Sequence, residues 1–268
     1  MVNFWDKEVI VNYHYSYNSF KKSLKVVGVK KSDTIFIHSN IGFFGNCKKS
    51  LKYASACETI YNAIFDVLGK SGTLIVPTFT YSFSNNKIYC LQNSKSTCGI
   101  FSEYIRKLPN AIRSADPSYS VAAVGEKAEK MLKDFQINSF DNKSFFAKFH
   151  QNGGKICNFN FDAGSTFVHY AERSLKVPYR YDKVFEGGVR IKNKIIKKKN
   201  IIWVRKLYSN KTKANFVNLS NIAKKNGKYI TTKVGRGFVG LISAEDTFKL
   251  IKKNIKKYPW FLTDGHFK

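Results

Sequence analysis

Apolar residues follow two different rhythms along the chain, and the changes between them mark its elements. DTIFIHS (33–39) and TLIVPTFTYSF (73–83) are apolar runs set off by polar and Gly-containing stretches, and read as strands. Between them, ASACETIYNAIFDVLGKSG (54–72) places Ala56, Ile60, Ala63, Ile64, Val67 and Leu68 at helical spacing, closed by Gly69 and Gly72. Strand, helix and strand at this length predict a parallel β-α-β unit with a right-handed crossover. Ligands of such sheets bind beyond the carboxyl ends of the strands, here HSNIGFFG and PTFTYSF.

The remaining chain alternates in the same way. Residues 4–27 read as helical in parts with a stop at Gly28, and FSEYIRKLPN (101–110) as a short helix halted at Pro109. Residues 112–135 run from a Pro-containing loop through a strand into a helix, and SFFAKFHQNG (144–153) holds a further short helix. KICNFNF (155–161) reads as a strand and STFVHYAERSL (165–175) as a helix with Ser165 or Thr166 as N-cap. GGVRIKNKIIKKKNIIWVRKLYS (187–209) reads as an antiparallel hairpin. SAEDTFKLIKKNIKKYPW (243–260) reads as a terminal helix, with Ser243 three residues before Asp246 and Pro259 after it. No fixed-period repeat or low-complexity linker interrupts this order.

The expected fold is α/β: a central mixed, largely parallel sheet flanked by helices, with an antiparallel C-terminal strand region. One domain over 1–268, with a strand-rich lobe at about 183–240, accommodates it.

Composition narrows the class. At 43% hydrophobic and 15% aromatic residues the chain is that of a folded protein. It has no apolar run near the roughly 18 residues of a membrane helix and no basic head followed by an apolar stretch at its start, so a cytoplasmic protein is expected. Cys47, Cys57, Cys90, Cys98 and Cys157 form no C-x-x-C pair and read as reduced thiols. The histidines, His14, His38, His150, His169 and His266, show no metal-ligand spacing, which argues against a metal-dependent hydrolase. The formal charge of +28 favours anionic partners. Its carriers are mostly lysines, spread widely and without an RNP-like motif or zinc-finger spacing, so a solvated basic surface is favoured over a nucleic-acid partner.

Helical spacing puts His169 and Glu172 on one face of the 165–175 helix. A neutral imidazole there is suited to take a proton at cellular pH. The residues alone leave a satisfied core histidine and a surface glutamate as the competing reading.

The ordered set DTIFIHSNIGFFG (33–45), GTLIVPTFTYS (72–82), LPNAIRSADPSYSVAAVGEKAE (108–129), SFDNKSFFAKF (139–149) and KICNFNFDAGSTFVHYAERSLKVPYR (155–180) resembles the aminoglycoside 3-N-acetyltransferase family, unrelated to GCN5-type enzymes. The resemblance covers about residues 15 to 265. It implies an acyl-CoA, acetyl-CoA or another, bound across the strand ends and direct transfer to a sugar amine, with no metal and no acyl-enzyme. His169 takes the family's base position; Glu172 or Asp162 would orient it or meet the ammonium. On the cofactor side the resemblance implies Ser39, Asn40 and Gly42 with the neighbouring His38 and Thr78, and Ser120 with Val121 in a second loop. Arg113 would meet a phosphate or make a structural salt bridge. Departures lie at Asp116-Pro117-Ser118-Tyr119-Ser120, where the family commonly reads H-P-T-H-S, and at Asn158 and Asn160, where it carries glycines. Either asparagine offers a hydrogen bond to the thioester oxygen or to a sugar hydroxyl, Asn160 as a catalytic and Asn158 as a substrate-binding candidate, or simply satisfies backbone groups.

For the acceptor, 18 acidic against 46 basic residues suit a polycation poorly and a diphosphate well. A nucleotide-linked amino sugar, a 3-amino-3,6-dideoxyhexose for surface polysaccharide, is therefore the expected substrate, contacted by aromatics that include Phe79, Tyr81 and Tyr170. An aminoglycoside is the alternative, and a basic nucleic-acid-binding protein the alternative from another class. A homodimer is left open.

Overall fold

The computed structural model describes residues 12–48, 55–134 and 136–267, so residues 4–11 of the expected N-terminal helical stretch and Ala54 of the next lie outside it. The chain runs α1 (Tyr17–Val26), β1 (Thr34–Ser39), α2 (Ala56–Leu68), β2 (Thr73–Pro77), β3 (Tyr89–Cys90), α3 (Ile100–Arg106), β4 (Ile112–Arg113), β5 (Val121–Gly125), α4 (Ala128–Leu132), α5 (Phe145–Gln151), β6 (Lys155–Phe159), α6 (Phe167–Ser174), β7 (Arg180–Ile191), β8 (Lys194–Arg205), α7 (Val217–Lys225), β9 (Ile230–Val234), β10 (Gly237–Ser243) and α8 (Ala244–Lys257). Helix starts follow local chemistry. Ser16 and Ser19 form a capping box at α1, Ser55 accepts from the Glu58 amide at α2, and Ser243 accepts from the Asp246 amide at α8.

Seven strands form the main sheet in the order β4-β5-β2-β1-β6-β10-β9. Its centre is parallel, with β1 paired to β2 on one side and to β6 on the other, while β4, β5, β9 and β10 join antiparallel to their neighbours. The expected α/β architecture with a mixed sheet is the one observed. Pleating sends alternate side chains to opposite faces. Ile35, Ile37, Leu74 and Val76 pack with Phe20, Leu24, Ile60 and Ile64 from α1 and α2. Phe36, Ile75 and Ile156 pack on the other face with Phe146, Phe167 and Ile251 from α5, α6 and α8. From β1 the sheet extends in two directions, toward β2 and toward β6, which makes the carboxyl end of β1 a topological switch point.

A second, three-stranded sheet, β3-β7-β8, is built on the long hairpin, paired from Arg180↔Arg205 to Ile191↔Lys194. Two expectations need correction here. The 183–240 region is not one strand-rich lobe: the hairpin belongs to this second sheet, α7 intervenes, and β9 and β10 extend the main sheet. The apolar run of β10 is what divides it, because Val239, Leu241 and Ile242 are buried against β6 and the two cores. TLIVPTFTYSF is also not one strand, since its ladder ends at Pro77 and Tyr81, at φ 49°, turns the chain.

Phe36 lies fully buried with the rings of Phe145, Phe146 and Phe149 centred 5.6, 6.1 and 5.8 Å away. Phe36→Ala is expected to cost about 3–5 kcal/mol, seen as a lower urea midpoint at unchanged slope. A cost below about 1 kcal/mol would mean that the surrounding rings close the gap.

Candidate active site

The carboxyl end of β1 opens into a cleft of about 520 Å³. His38, Ser39, Asn40 and Gly42, all expected on the cofactor side, line it together with Phe79. Ile41, Pro77, Thr97, Cys98, Gly99, Ile100, Phe101 and Phe161 also line it; those from 97–101 and Phe161 carried no signal in the sequence, since the loop and helix start that bring them depend on the fold. The cleft thus combines small polar side chains with exposed apolar ones, Ile100 and Phe161.

His38 joins this cleft to α6. The Thr166 amide donates to His38 Nε2 at 3.3 Å and the Thr166 hydroxyl lies 3.2 Å from the same nitrogen. An Nε2 that accepts from a backbone N–H carries no proton, so the ring proton resides on Nδ1. Burial pushes the His38 pKa down to about 4, which keeps this ring neutral at cellular pH. Thr166, one of the two expected caps of α6, makes no side-chain cap bond, whereas Ser165 Oγ accepts from the Phe167 amide.

One turn further along α6 stands His169. Its Nδ1 lies 2.7 Å from Glu172 Oε2, the pairing expected from the i, i+3 spacing. Glu172 is no surface residue, with 0% exposure; the Tyr179 hydroxyl donates to its Oε1 at 2.9 Å. Arg180 Nε approaches Oε2 at 2.8 Å, a charge contact without the alignment of a hydrogen bond. Burial pushes the Glu172 carboxyl up, but the hydrogen bond from His169, the charge of Arg180 and the Tyr179 hydroxyl outweigh it and leave the pKa below its ordinary value. Burial first, then the Arg180 charge, lower the His169 pKa, against the opposing pull of Glu172. The pair is therefore a neutral imidazole on an ionised carboxylate. The carboxylate accepts a hydrogen bond from Nδ1–H, and Nε2 makes no hydrogen bond among the described residues. With 17% side-chain exposure and the Phe140 ring edge-on at 5.8 Å, the imidazole is held yet reachable.

Other expected site residues have different places. Asp162 does not orient His169: its Oδ1 accepts from the Gly164 amide at 2.7 Å. Asn160, expected to donate to the thioester oxygen or to a sugar hydroxyl, spends both ends of its amide on backbone, donating to Asn40 O at 2.8 Å and accepting from the Phe238 amide at 2.8 Å. It holds φ 63°, and a Cβ on Gly237 would lie 1.9 Å from its Oδ1, so the glycine is what admits this clasp. Asn158 is buried and donates to Asp162 O and Gly164 O, which shapes the turn into α6 rather than a substrate contact. Arg113 makes no ion pair with a carboxylate among the described residues. Its guanidinium is used on Thr78 O and Oγ1, Leu91 O, Ser94 O and Ser120 Oγ. Thr78, Ser120 and Val121 are fully buried, below the cleft surface. Tyr81 stands in an aromatic row with Phe79, Tyr119 and Phe140 that leads to His169. Tyr170 instead packs against Phe167 and Phe248 between α6 and α8. Among the described residues no cluster of His, Cys, Asp or Glu is arranged to hold a metal ion, and no helix is long and apolar enough to cross a membrane.

Residues 36–256 match the family model described as aminoglycoside 3-N-acetyltransferase. The chain is 30% identical over 137 residues to aminoglycoside N(3)-acetyltransferase IV of a Salmonella species, a match covering 48% of this chain and 51% of that protein, so it spans about half the length of this curated relative. Among solved structures, AAC-IIIb in its binary complex with CoASH superposes with a TM-score of 0.77 at 19% identity, over 90% of this chain and 97% of that one. A mutant of AAC(3)-IVa in complex with a gentamicin gives 0.78 at 19% identity, over 94% and 93%.

These matches overturn the acceptor expected from net charge, a nucleotide-linked amino sugar: the family model and the curated relative are both aminoglycoside acetyltransferases. The error is one of range. Many of the lysines sit on exposed surface, as at Lys194 and Lys197–Lys199 of the β8 arm. Surface charges act over a screening length of about 8 Å, so their sum does not set the potential inside a cleft.

The neutral His38 makes stability depend on pH. With its pKa lowered from 6.5 to about 4 in the fold, its contribution is complete above pH 6.5 and is lost as pH falls toward 4, where the unfolded chain binds the extra proton. Urea unfolding at pH 7 and near the lower pKa is expected to cost the wild type up to about 3 kcal/mol more than His38→Asn. Equal losses in both proteins would refute a neutral buried ring.

Proposed function

The chain belongs to the aminoglycoside 3-N-acetyltransferase family, and on that premise we propose that it transfers an acetyl group from acetyl-CoA to the 3-amino group of an aminoglycoside. The observation that carries the reading is the His169–Glu172 pair: an imidazole with its proton held on Nδ1, a free Nε2, and a place on α6 one turn from the cleft at the switch point of the sheet. In support, a relative of the same fold is described in complex with CoASH and another in complex with a gentamicin.

In this reading the acyl-CoA lies along the cleft, its pantetheine amides toward Ser39, Asn40 and Gly42 and its apolar stretches toward Ile100 and Phe161. The acceptor approaches from the side of α6, where Asp162 is exposed and offers a negative charge to a polycation. His169 Nε2 takes the proton that the amine must lose as it attacks the thioester carbon. Glu172 stabilises the imidazolium that results without becoming protonated itself.

The test is thiol release from acetyl-CoA in the presence of gentamicin-type and kanamycin-type aminoglycosides, with the product mapped for acetylation at N3. Release is expected with one or both, and His169→Gln is expected to lower kcat by about 10²–10⁴-fold. Folded protein that releases no thiol with any aminoglycoside would overturn the reading, and an unimpaired His169→Gln variant would remove the base.

A further inference from the structure

The proposed transfer leaves open what keeps a fully buried carboxylate ionised and in one orientation. An uncompensated charge there costs several kcal/mol, and the compensation has to come from groups placed for it. Two of the three groups that touch Glu172 come from the segment after α6. At the end of α6, Lys176 at φ 52° reverses the chain, and the Val177 amide returns to Glu172 O at 3.2 Å. Pro178 forbids a further helical turn. Tyr179 and Arg180 are thereby delivered to opposite oxygens of the carboxylate, the hydroxyl to Oε1 and Nε to Oε2, the oxygen that also receives His169 Nδ1. Each is braced in turn: the Tyr179 ring lies 5.3 Å from Trp260, and Arg180 Nη1 donates to Trp203 O of β8 at 3.3 Å.

We propose that Tyr179 and Arg180 are positioning residues that act through Glu172 on His169. Together they hold the carboxylate in one orientation, so that it keeps the imidazole proton on Nδ1 and aims the Nε2 lone pair at the amine. This inference rests on the acetyl-transfer reading. In the step itself the amine nitrogen bonds to the thioester carbon while the C=O π pair moves onto oxygen. Nε2 takes the amine proton; the oxyanion then collapses, the C–S bond breaks, and His169 returns the proton to sulfur. The products are the amide and CoASH, with the enzyme unchanged.

Arg180 also sets the electrostatics of the pair. Its positive charge lowers the proton affinity of both Glu172 and His169. Among the described residues the remaining titratable group facing this carboxylate is Tyr119, from the loop before β5, neutral because burial raises its pKa.

The experiment compares Tyr179→Phe, Arg180→Gln and Arg180→Lys by pH profile and by ¹⁵N NMR of the histidine rings. Arg180→Gln is expected to lower kcat by about 10–100-fold with KM for acetyl-CoA within about threefold. Loss of the charge should move the acid limb of kcat/KM to higher pH, and Arg180→Lys should return the limb toward its wild-type position. Tyr179→Phe should lower kcat, and in both Tyr179→Phe and Arg180→Gln the single Nδ1–H tautomer of His169 should give way to a mixture. Variants that only melt earlier, with kcat, acid limb and tautomer unchanged, would overturn the proposal, as would a wild-type His169 protonated on Nε2. Should Arg180→Gln fail to fold, Tyr179→Phe decides by the same kcat and tautomer readings. The tautomer is read without turnover, so a wild type that transfers no acetyl group would sink the functional reading while the NMR still decides the positioning.

Discussion

A carboxylate with no access to water is the constraint on which the rest of the site depends. Glu172 cannot remain ionised at 0% exposure unless donors surround it, and the chain meets that demand from three directions. It explains why α6 is short, why a left-handed residue and a proline follow it, and why the root of the second sheet sits against the site. The hairpin looks peripheral when judged by its exposed arm. At its base, however, Arg180 is held between Glu172 and Trp203, so the second sheet contributes to the same charge balance as α6.

The main sheet supplies the other half. Parallel strands on either side of β1 leave a crevice at their carboxyl ends, and the loops after β1 and β6 become part of its walls. His38 connects the two halves through the start of α6. The neutral form that burial imposes on it adds no charge beside the cleft. Two histidines of one site are thus kept neutral by different means, His38 by desolvation alone and His169 by desolvation with a cationic neighbour.

Features encoded by local periodicity were legible in the sequence. The β1-α2-β2 unit follows from burial on both strand faces, and the His169–Glu172 contact from helical spacing, because both depend on residues a few positions apart. Features that depend on distant partners were not. The resemblance left Arg113 between a phosphate contact and a structural salt bridge, yet its backbone partners are carbonyls at 78, 91 and 94, which only the fold brings together. Tyr179 and Arg180 close the 155–180 segment without a visible role, since nothing in sequence says that a carboxylate on the preceding helix is buried. Residues 183–240 read as one strand-rich lobe because strand propensity carries no information about which sheet a strand joins. The acceptor was misread for a related reason, as a whole-chain charge was made to speak for one cleft.

The clasp made by Asn160 has a consequence for how the cleft meets a ligand. Its amide bridges the loop after β1 to the start of β10, across three segments that would otherwise fray independently. Fixing a loop residue costs about 1–2 kcal/mol of backbone entropy, and here that loss is incurred when the chain folds and not when a ligand arrives. Association at this wall is a docking onto a surface already set, which leaves more of the contact energy to appear as affinity.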